Sequence, residues 1–181
     1  MGSVLSQFRL DNQVALITGA GDGLGRAAAL AFGEAGAHVC VTDIDAELAQ
    51  NVTQEIKGEG GSADFRKLDV AQNPEIETKI AEIIAEHGRI DILVNNVGLA
   101  KRGPTEEMSL ESWNEIIQVN QTQVFMCSRE VGKHMLQSGK GSIINVASIM
   151  GLVGGGFYPN LPYHATKGAM VNMTRALAAE W

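Results

Sequence analysis

The 181-residue chain has few cysteines, few aromatic residues and fewer cationic than acidic side chains. Its two cysteines, Cys40 and Cys127, lie far apart and lack the spacing of a metal or redox motif. We therefore predict no metal site, and buried free thiols in a reducing, cytoplasmic environment. The formal net charge of −7 argues against nucleic acid or an anionic membrane surface as a partner. No run approaches the roughly 20 apolar residues of a membrane span.

The start of the chain, residues 1–6, fits the short N-myristoylation pattern. Because no polybasic segment follows to provide a second membrane signal, we expect a frayed terminus without acylation. The remaining composition, with 45% hydrophobic and 19% charged residues, is typical of a globular protein with a substantial core.

Apolar segments of strand length alternate with segments of helical periodicity along the chain. The predicted strands span residues 13–18, 37–42, 63–68, 90–94 and 142–147. Helices are predicted between them, including a long one over 110–137, and a last helix continues to the final residue. Strands without polar alternation that are joined by helices indicate a parallel sheet covered on both faces. We therefore predict an α/β fold with a doubly wound parallel sheet, a Rossmann-like three-layer sandwich that forms a single domain over 1–181.

A glycine-rich segment follows the first predicted strand and opens the first helix. It reads Thr18-Gly19-Ala20-Gly21-Asp22-Gly23-Leu24-Gly25 and departs from the strict G-x-G-x-x-G fingerprint at position 24. Small residues let backbone N–H groups approach a pyrophosphate at a helix N-terminus, where the helix dipole favours anions. The residues predicted to bind a dinucleotide here are Gly19, Gly21, Asp22, Gly23, Leu24 and Gly25. An ordinary glycine-rich turn is the alternative.

Asp43 stands at the end of the second predicted strand, 18 residues beyond Gly25. A carboxylate there can accept hydrogen bonds from both ribose hydroxyls of an adenosine, and it would repel the 2′-phosphate of NADP. Asp22 adds a second negative charge nearby, and Arg26 lies inside the helix. We therefore predict NAD as the cofactor. A solvated loop residue, or a cap for the following helix, is the alternative for Asp43.

Polar residues also follow the third and fourth predicted strands. Asp69-Val70 comes after the third strand, where a side chain can meet an adenine amino group. Asn95-Asn96-Val97-Gly98 comes after the fourth, where the chain must pass close to the adenosine. We predict that Asp69, Val70, Asn96 and Gly98 contribute to the cofactor site. Turn formation is an equally good explanation for each residue alone.

Tyr163 and Lys167 lie one helical turn apart, and residues four apart share a face of a helix. A free tyrosine is a poor base near neutral pH because its pKa is about 10. A neighbouring ammonium group stabilises the phenolate, so the pair predicts a phenol that exchanges protons near neutral pH.

Together these motifs resemble the short-chain dehydrogenase/reductase family. The matching features are Thr18-Gly19-x-x-x-Gly23-x-Gly25, Asp43, Asp69-Val70, Asn95-Asn96-x-Gly98, Asn120, Ser148 and Tyr163-x-x-x-Lys167. The resemblance implies an NAD-dependent oxidoreductase that transfers a hydride between nicotinamide and a secondary alcohol or ketone. It also implies a homodimer or homotetramer that forms through the two long helices.

The resemblance further implies a catalytic set of Asn120, Ser148, Tyr163 and Lys167. Tyr163 would be the general acid/base, and Ser148 would hydrogen-bond the reacting oxygen. Lys167 would stabilise the phenolate and bind the nicotinamide ribose, so Tyr163 and Lys167 also belong to the cofactor site. Asn120 would anchor a water that links Lys167 to solvent. A polar helix residue for Asn120 and a strand-end turn for Ser148 stay open as alternatives.

Two departures from the family pattern concern the surroundings of the site. Val97 stands where the family usually has alanine, and the interval from Ser148 to Tyr163 is about two residues longer than usual. The additional length falls in 154–162, which we expect to line the substrate side. The predicted apolar wall consists of Leu152, Phe157 and Tyr158.

Lys101 and Arg102 lie in the loop predicted to face that wall. A solvated charged loop is favoured there over contact with an acidic substrate. The sequence Asn160-Leu161-Pro162-Tyr163, which enters the last helix, resembles family members that act on sugar acids or polyols.

The chain ends at Trp181 within a predicted helix, with no glycine stop and with Glu180 where the helix dipole disfavours an anion. Because family members normally continue further, we expect an incomplete chain that lacks the last strands of the sheet and leaves 142–147 at its edge. A dinucleotide-binding fragment or subunit without turnover is the alternative to an enzyme.

Overall fold

The strands form one parallel sheet in the residues that the computed structural model describes, 4–156 and 158–181. They are β1 (Val14–Thr18), β2 (His38–Asp43), β3 (Ser62–Lys67), β4 (Ile92–Asn95) and β5 (Ser142–Asn145). The strand order is β3-β2-β1-β4-β5. The direction of winding therefore reverses between β1 and β4, which is where doubly wound sheets bind ligands. Phe157 and the first three residues of the acylation pattern lie outside the described residues.

Helices connect the strands and cover both faces of the sheet. They are α1 (Gly23–Glu34), α2 (Ala46–Gly58), α3 (Asn73–His87), α4 (Leu110–Ile117), α5 (Gln123–Ser138) and α6 (Leu161–Glu180). Among the described residues, every helix is too short or too polar to cross a bilayer. The predicted fold class is thus confirmed.

Alternation along the buried strands divides the core into two halves. Ala15 and Ile17 of β1 join a cluster with α1 and α2 residues, including Ala29 and Val52. On the other face, the cluster that contains Leu16 packs against α3 and α5; its members include Val14, Cys40, Leu93, Ile76, Ile80 and Met126. Each face of the sheet therefore has its own helical layer, as the unbroken apolar strands predict.

The helix predicted over 110–137 contains a turn that the sequence pattern does not reveal. A π-helical turn, Gln118–Thr122, separates α4 from α5, and Asn120 is fully buried within it. The apolar periodicity continues through this turn, so the pattern predicts one uninterrupted helix. π turns occur frequently at functional sites.

Strand β5 is shorter than the predicted segment 142–147. Its residues alternate between exposed and half-buried, as expected for a strand with a neighbour on one side only. The Val146 N–H still donates to the Asn95 carbonyl at 3.0 Å, and the Val146 carbonyl accepts a hydrogen bond from Lys167 Nζ at 2.6 Å. The end of β5 thereby contributes to the site described below.

Candidate active site

The glycine-rich turn between β1 and α1 packs too closely for side chains. Gly19 and Gly23 have positive φ angles of 61° and 55°, which L-residues with side chains rarely adopt. A Cβ atom at Gly25 would lie 2.1 Å from the carbonyl oxygen of Gly19. The backbone conformation and packing therefore require glycine at these positions. The turn leads directly into the N-terminus of α1.

Asp43 is fixed against this turn from the neighbouring strand. Its Oδ2 accepts from the Gly21 N–H at 2.9 Å, and its Oδ1 accepts from the Asp45 N–H at 3.0 Å. Asp45, not Asp43, caps α2 by accepting from the N–H groups of Glu47 and Leu48. Each carboxylate oxygen of Asp43 retains acceptor capacity, since it uses one lone pair here.

Asn96 connects the end of β4 to the same turn. Its side-chain amide donates to the carbonyl oxygens of Thr18 at 3.0 Å and Gly19 at 2.9 Å, while its backbone N–H donates to Thr18 Oγ1 at 3.1 Å. Val97 packs against the turn as well. A Cβ atom placed on Gly19 would lie only 2.8 Å from Val97 Cγ2. The asparagine thus positions the turn, a role that the sequence analysis did not assign to it.

A cavity of about 460 Å³ lies at the carboxyl ends of β1, β2 and β4. Its lining consists of Gly19, Asp43, Ile44, Leu68, Asp69, Val70, Asn96, Val97, Gly98, Leu99 and Val119. Two carboxylates and no basic side chain belong to this lining. The volume is within the usual range for small-molecule and cofactor sites.

The predicted cofactor residues differ in how they meet this cavity. Asp69 lines it while its Oδ1 accepts from the Ala71 N–H at 2.9 Å, so the residue also forms a turn. Val70 also belongs to the lining, although it is buried and packs in the core cluster that contains Leu16. Asp22 and Leu24 are exposed at the start of α1 and lie outside the lining.

Lys167 is almost completely buried, with 3% of its surface exposed. Its ammonium group donates to the Val146 carbonyl, lies 5.7 Å from the centroid of the Tyr163 ring, and would be 3.3 Å from a Cβ at Gly98. Burial lowers the pKa of Lys167 below its ordinary value. The predicted proximity of Tyr163 and Lys167 is confirmed. Because Gly98 has no side chain, the ammonium group can approach the segment that follows β4.

Asn120 joins three segments of the site from within the π turn. Its Oδ1 accepts from the Leu99 N–H at 2.6 Å, and its Nδ2 donates to the Leu99 carbonyl at 2.8 Å and to Thr166 Oγ1 at 3.0 Å. Thr166 in turn donates to the Pro162 carbonyl one helical turn earlier. No feature of the sequence had identified Thr166. The amide of Asn120 holds the loop after β4 against α6.

Ser148 forms the turn that its alternative interpretation predicted. Its Oγ accepts from the Met150 N–H at 3.1 Å and caps the 3₁₀ turn Ile149–Gly151. That turn packs directly on α6, since a Cβ at Gly151 would lie 2.5 Å from the Lys167 carbonyl oxygen. The hydroxyl proton of Ser148 stays available for a second hydrogen bond.

The segment after Ser148 lines a second cavity, of about 730 Å³, together with the start of α6. Leu152 and Tyr158 belong to its lining, as predicted, whereas Tyr163 and Ser148 lie outside the lining of both cavities. Arg102 donates to Tyr158 Oη at 3.0 Å, and its guanidinium carbon lies 3.7 Å from the ring centroid. Lys101 pairs with Glu115. Both cations therefore have protein partners, unlike those of a simple solvated loop.

Comparison with known proteins agrees with this geometry. Residues 13–181 match the family model described as short chain dehydrogenase. The chain belongs to the short-chain dehydrogenase/reductase family. Its members are oxidoreductases that transfer a hydride with a nicotinamide dinucleotide, so the fold and the hydride-transfer function predicted from the sequence are confirmed at that level.

Individual relatives cover nearly the whole chain. A D-threitol dehydrogenase of Mycolicibacterium smegmatis is 38% identical over 179 residues, which are 99% of this chain and 68% of that enzyme. A 5-keto-D-gluconate 5-reductase of Escherichia coli is 36% identical over 173 residues, covering 96% and 67%. The crystal structure of a gluconate 5-dehydrogenase from Burkholderia cenocepacia, in complex with NADP and tartrate, superposes with a TM-score of 0.92. It is 37% identical and covers 99% of this chain and 69% of that one.

Proposed function

We propose that this short-chain dehydrogenase oxidises a secondary alcohol, or reduces the matching ketone, with NAD as its coenzyme and Tyr163 as the general acid/base. The observation that carries the proposal is the buried Lys167 ammonium group beside the Tyr163 ring. Burying a cation costs free energy unless polar or opposite charges surround it. Here the cation lies where it could balance the negative charge of a phenolate.

Each of the four predicted catalytic residues has a role that its surroundings support. Tyr163 takes the alcohol proton during oxidation or returns it to the carbonyl oxygen during reduction. Ser148 donates its hydroxyl proton to that oxygen, since its Oγ already accepts from the Met150 N–H. Lys167 stabilises the phenolate. Asn120 is a positioning residue, because its side-chain donors are already bonded to Leu99 and Thr166.

The turn between β1 and α1 suits a dinucleotide, since Gly23 and Gly25 place no side chain in the first turn of α1, where the helix dipole favours an anion. Gly19, Asp43, Asp69, Asn96 and Gly98, which line the first cavity, would hold the adenosine part. When bound, NAD supplies the hydride chemistry. The protein provides position, charge and the proton.

The preference for NAD rests on charge. Asp43 and Asp69 place two carboxylates in the lining of the first cavity, and the lining holds no cation to balance a 2′-phosphate. Arg26, the nearest arginine along the chain from the turn, is paired with Glu55. A similar protein binds NADP in its crystal structure, so the coenzyme requires a direct test.

A polyol or sugar acid is the substrate class that we infer. The similar proteins named above act on D-threitol, 5-keto-D-gluconate and gluconate. The lining of the second cavity combines the polar side chains of Tyr158, Asn160 and His164 with the apolar Leu152, which suits a ligand with several hydroxyl groups. A single dinucleotide-binding domain over 1–181, its assembly into homo-oligomers and a cytoplasmic location remain predictions.

The first test is a thermal-shift titration of the chain with NAD and, in parallel, NADP. A ligand that binds only the folded state raises the melting temperature, by an amount that corresponds to about 2.7 kcal/mol at 100 times its dissociation constant. We expect a shift with NAD at concentrations where NADP has little effect. An equal or larger shift with NADP would refute the coenzyme preference.

Turnover is then measured as NADH formation with D-threitol and D-gluconate as probes. NADH formation with either compound supports the enzyme. A coenzyme shift without turnover on these or other secondary alcohols would favour the alternative, a dinucleotide-binding fragment or subunit that does not act by itself.

A further inference from the structure

Four side chains with metal-binding atoms meet at a place remote from the active site. His38 and Cys40 come from β2, Asp64 from β3, and His87 from the end of α3. His38 is the first residue of β2, whereas Asp43 is its last, so five residues of about 3.3 Å each separate the two sites along the strand. We call these four residues the His-Cys-Asp cluster.

The cluster is organised around one carboxylate oxygen. Asp64 Oδ2 lies 2.9 Å from His38 Nε2, 2.7 Å from His87 Nε2 and 3.9 Å from Cys40 Sγ. The four potential ligand atoms all lie within 4.8 Å of one another. The two imidazole rings are neighbours as well, with centroids 4.3 Å apart. Four different donors thus point at one small volume.

The second nitrogen of one imidazole is already occupied. His38 Nδ1 lies 2.7 Å from Ser62 Oγ on β3. When Nδ1 carries the proton and donates it to Ser62, the Nε2 lone pair is directed into the cluster. Metal-bound histidines commonly have such an outer partner, which sets the tautomer and the ring orientation.

The charges around the cluster favour a cation of charge two. The part-buried Asp64 supplies the one carboxylate among the four ligands. Arg66 bonds the other oxygen, Oδ1, and also pairs with Glu86. Oδ2 lies within hydrogen-bond distance of both imidazoles, and a metal would replace these contacts. The guanidinium has a second carboxylate to balance its charge.

We propose that His38, Cys40, Asp64 and His87 bind a divalent transition-metal ion of the zinc class in a closed, four-coordinate site. Imidazole nitrogen, thiolate sulfur and carboxylate oxygen are the donor types that bind zinc, with metal–nitrogen and metal–oxygen distances of about 2.0–2.2 Å and a metal–sulfur distance of about 2.3 Å. Tetrahedral geometry then places neighbouring ligand atoms roughly 3.3–3.6 Å apart. Asp64 Oδ2 needs to retreat from each imidazole by only about half an ångström.

Binding requires that the ion replace protons. Cys40 is a free and fully buried cysteine. A coordinated thiol is deprotonated by the metal, and the thiolate with the Asp64 carboxylate neutralises the two charges of the ion.

The position of the cluster predicts a structural role. A metal there would tie the edge strand β3 and the end of α3 to β2, next to the core cluster that contains Cys40. All four ligands are present, which leaves no open position for a substrate. We therefore expect the ion to raise stability without a part in hydride transfer.

The test measures Zn²⁺ binding to metal-free protein by competition with a chromophoric chelator. The variants are Cys40→Ser and His87→Gln, and the matched control is His134→Gln, an exposed histidine on α5 outside the cluster. We expect one Zn²⁺ per chain, with affinity at least about tenfold weaker in both cluster variants and unchanged in the control. Addition of Zn²⁺, but not of Mg²⁺, should raise the melting temperature, and EDTA should reverse the rise.

A second measurement covers the case in which Cys40→Ser does not fold, since Cys40 is fully buried. Co²⁺ bound to the original chain should show a thiolate-to-metal charge-transfer absorption in the near ultraviolet, and folded His87→Gln should bind Co²⁺ at least about tenfold more weakly. The proposal is overturned by the absence of saturable Zn²⁺ binding, by equal affinity in the cluster variants and the control, or by Co²⁺ binding without the thiolate band.

Discussion

Lys167 is the residue in which burial and function are most closely connected. Its ammonium group is removed from water, and burial lowers its pKa. Removal of a cation from water costs free energy unless polar groups replace the hydration. The Val146 carbonyl supplies one such group, and a phenolate at Tyr163 would supply an opposite charge. The Val146 carbonyl therefore offsets part of the cost of burying the ammonium group.

Substitution of Tyr163 by phenylalanine removes the proton-transfer group and keeps the ring. We expect kcat to fall by about 10²–10⁴-fold, which is the usual contribution of a general acid/base. The melting-temperature rise on NAD addition should remain, because Tyr163 lies outside the first cavity, which we propose to hold the adenosine part. Steady-state kinetics together with thermal shift test this expectation, and a variant with undiminished kcat would remove Tyr163 from the proposed mechanism.

Asp43→Asn tests the coenzyme preference with little change in shape. The variant keeps an acceptor for the Gly21 N–H but removes the charge that opposes a 2′-phosphate. We expect the ratio of NADP to NAD affinity to rise at least about tenfold, or about 1.4 kcal/mol. The control is Asp45→Asn, which caps α2 equally well with asparagine and should leave the ratio unaltered. The same ratio in both variants would contradict the role of Asp43.

At the scale of elements, contacts between backbone segments decide which positions accept a side chain. Gly25 lies in α1 against the carbonyl of Gly19, whereas Gly58 ends α2 with open space around it. Both are helical glycines, so composition alone does not distinguish them. The difference comes from how closely α1 approaches the end of β1.

Alanine at these two glycines should therefore have opposite effects. Gly25→Ala places a methyl group against backbone, and we expect the free energy of unfolding to fall by about 1–3 kcal/mol, with weaker binding of NAD. Gly58→Ala reduces the entropy of the unfolded chain, so we expect the free energy of unfolding to rise by up to about 1 kcal/mol. Urea unfolding of both variants is the measurement. A Gly25→Ala protein as stable as the original would show that the turn can shift to accommodate the methyl group, which would contradict the prediction.

The long helix shows the limit of pattern-based prediction for elements. Residues 110–137 have continuous helical periodicity, and the structure keeps the helical path, but it inserts the π turn Gln118–Thr122. The additional residue turns Asn120 toward Leu99 and Thr166. Because those partners lie 21 and 46 positions away, local periodicity carries no information about them.

At the scale of the whole molecule, ion pairs between helices make stability depend on pH. Glu130 of α5 accepts from Lys133 and Arg129, and Arg129 also reaches Glu77 of α3. Burial alone would raise the pKa of Glu130, but these hydrogen bonds lower it below its ordinary value of 4.5. The stabilisation is therefore fully present above pH 4.5 and is lost as the pH falls through the lower, folded-state pKa.

Glu130→Gln should remove this contribution. We expect the free energy of unfolding to fall by about 1 kcal/mol at pH 7, with a shallower loss below pH 4.5, so that the two proteins converge in acid. Glu82→Gln, which breaks the more exposed pair with Lys79, is the control and should have a smaller effect. Urea unfolding at several pH values measures both. Parallel stability curves for Glu130→Gln and the original protein would contradict the assignment.

The sequence by itself determined the alternation of strands and helices and the layers of the sheet. These features depend on local periodicity and on backbone sterics, which a single segment carries. The pairing of Tyr163 with Lys167 belongs to the same class, because both lie on one helix.

Only the tertiary structure decided which distant residues meet. Asn96 reaches the turn at Gly19, and the His-Cys-Asp cluster joins two strands and a helix. The spacing of the cysteines along the chain gave no sign of this cluster. Those contacts follow from the register of parallel strands, which pairs His38 with Ser62 and Cys40 with Asp64. Register is set by the packing of whole crossover helices on the sheet, so no local pattern in the sequence encodes it.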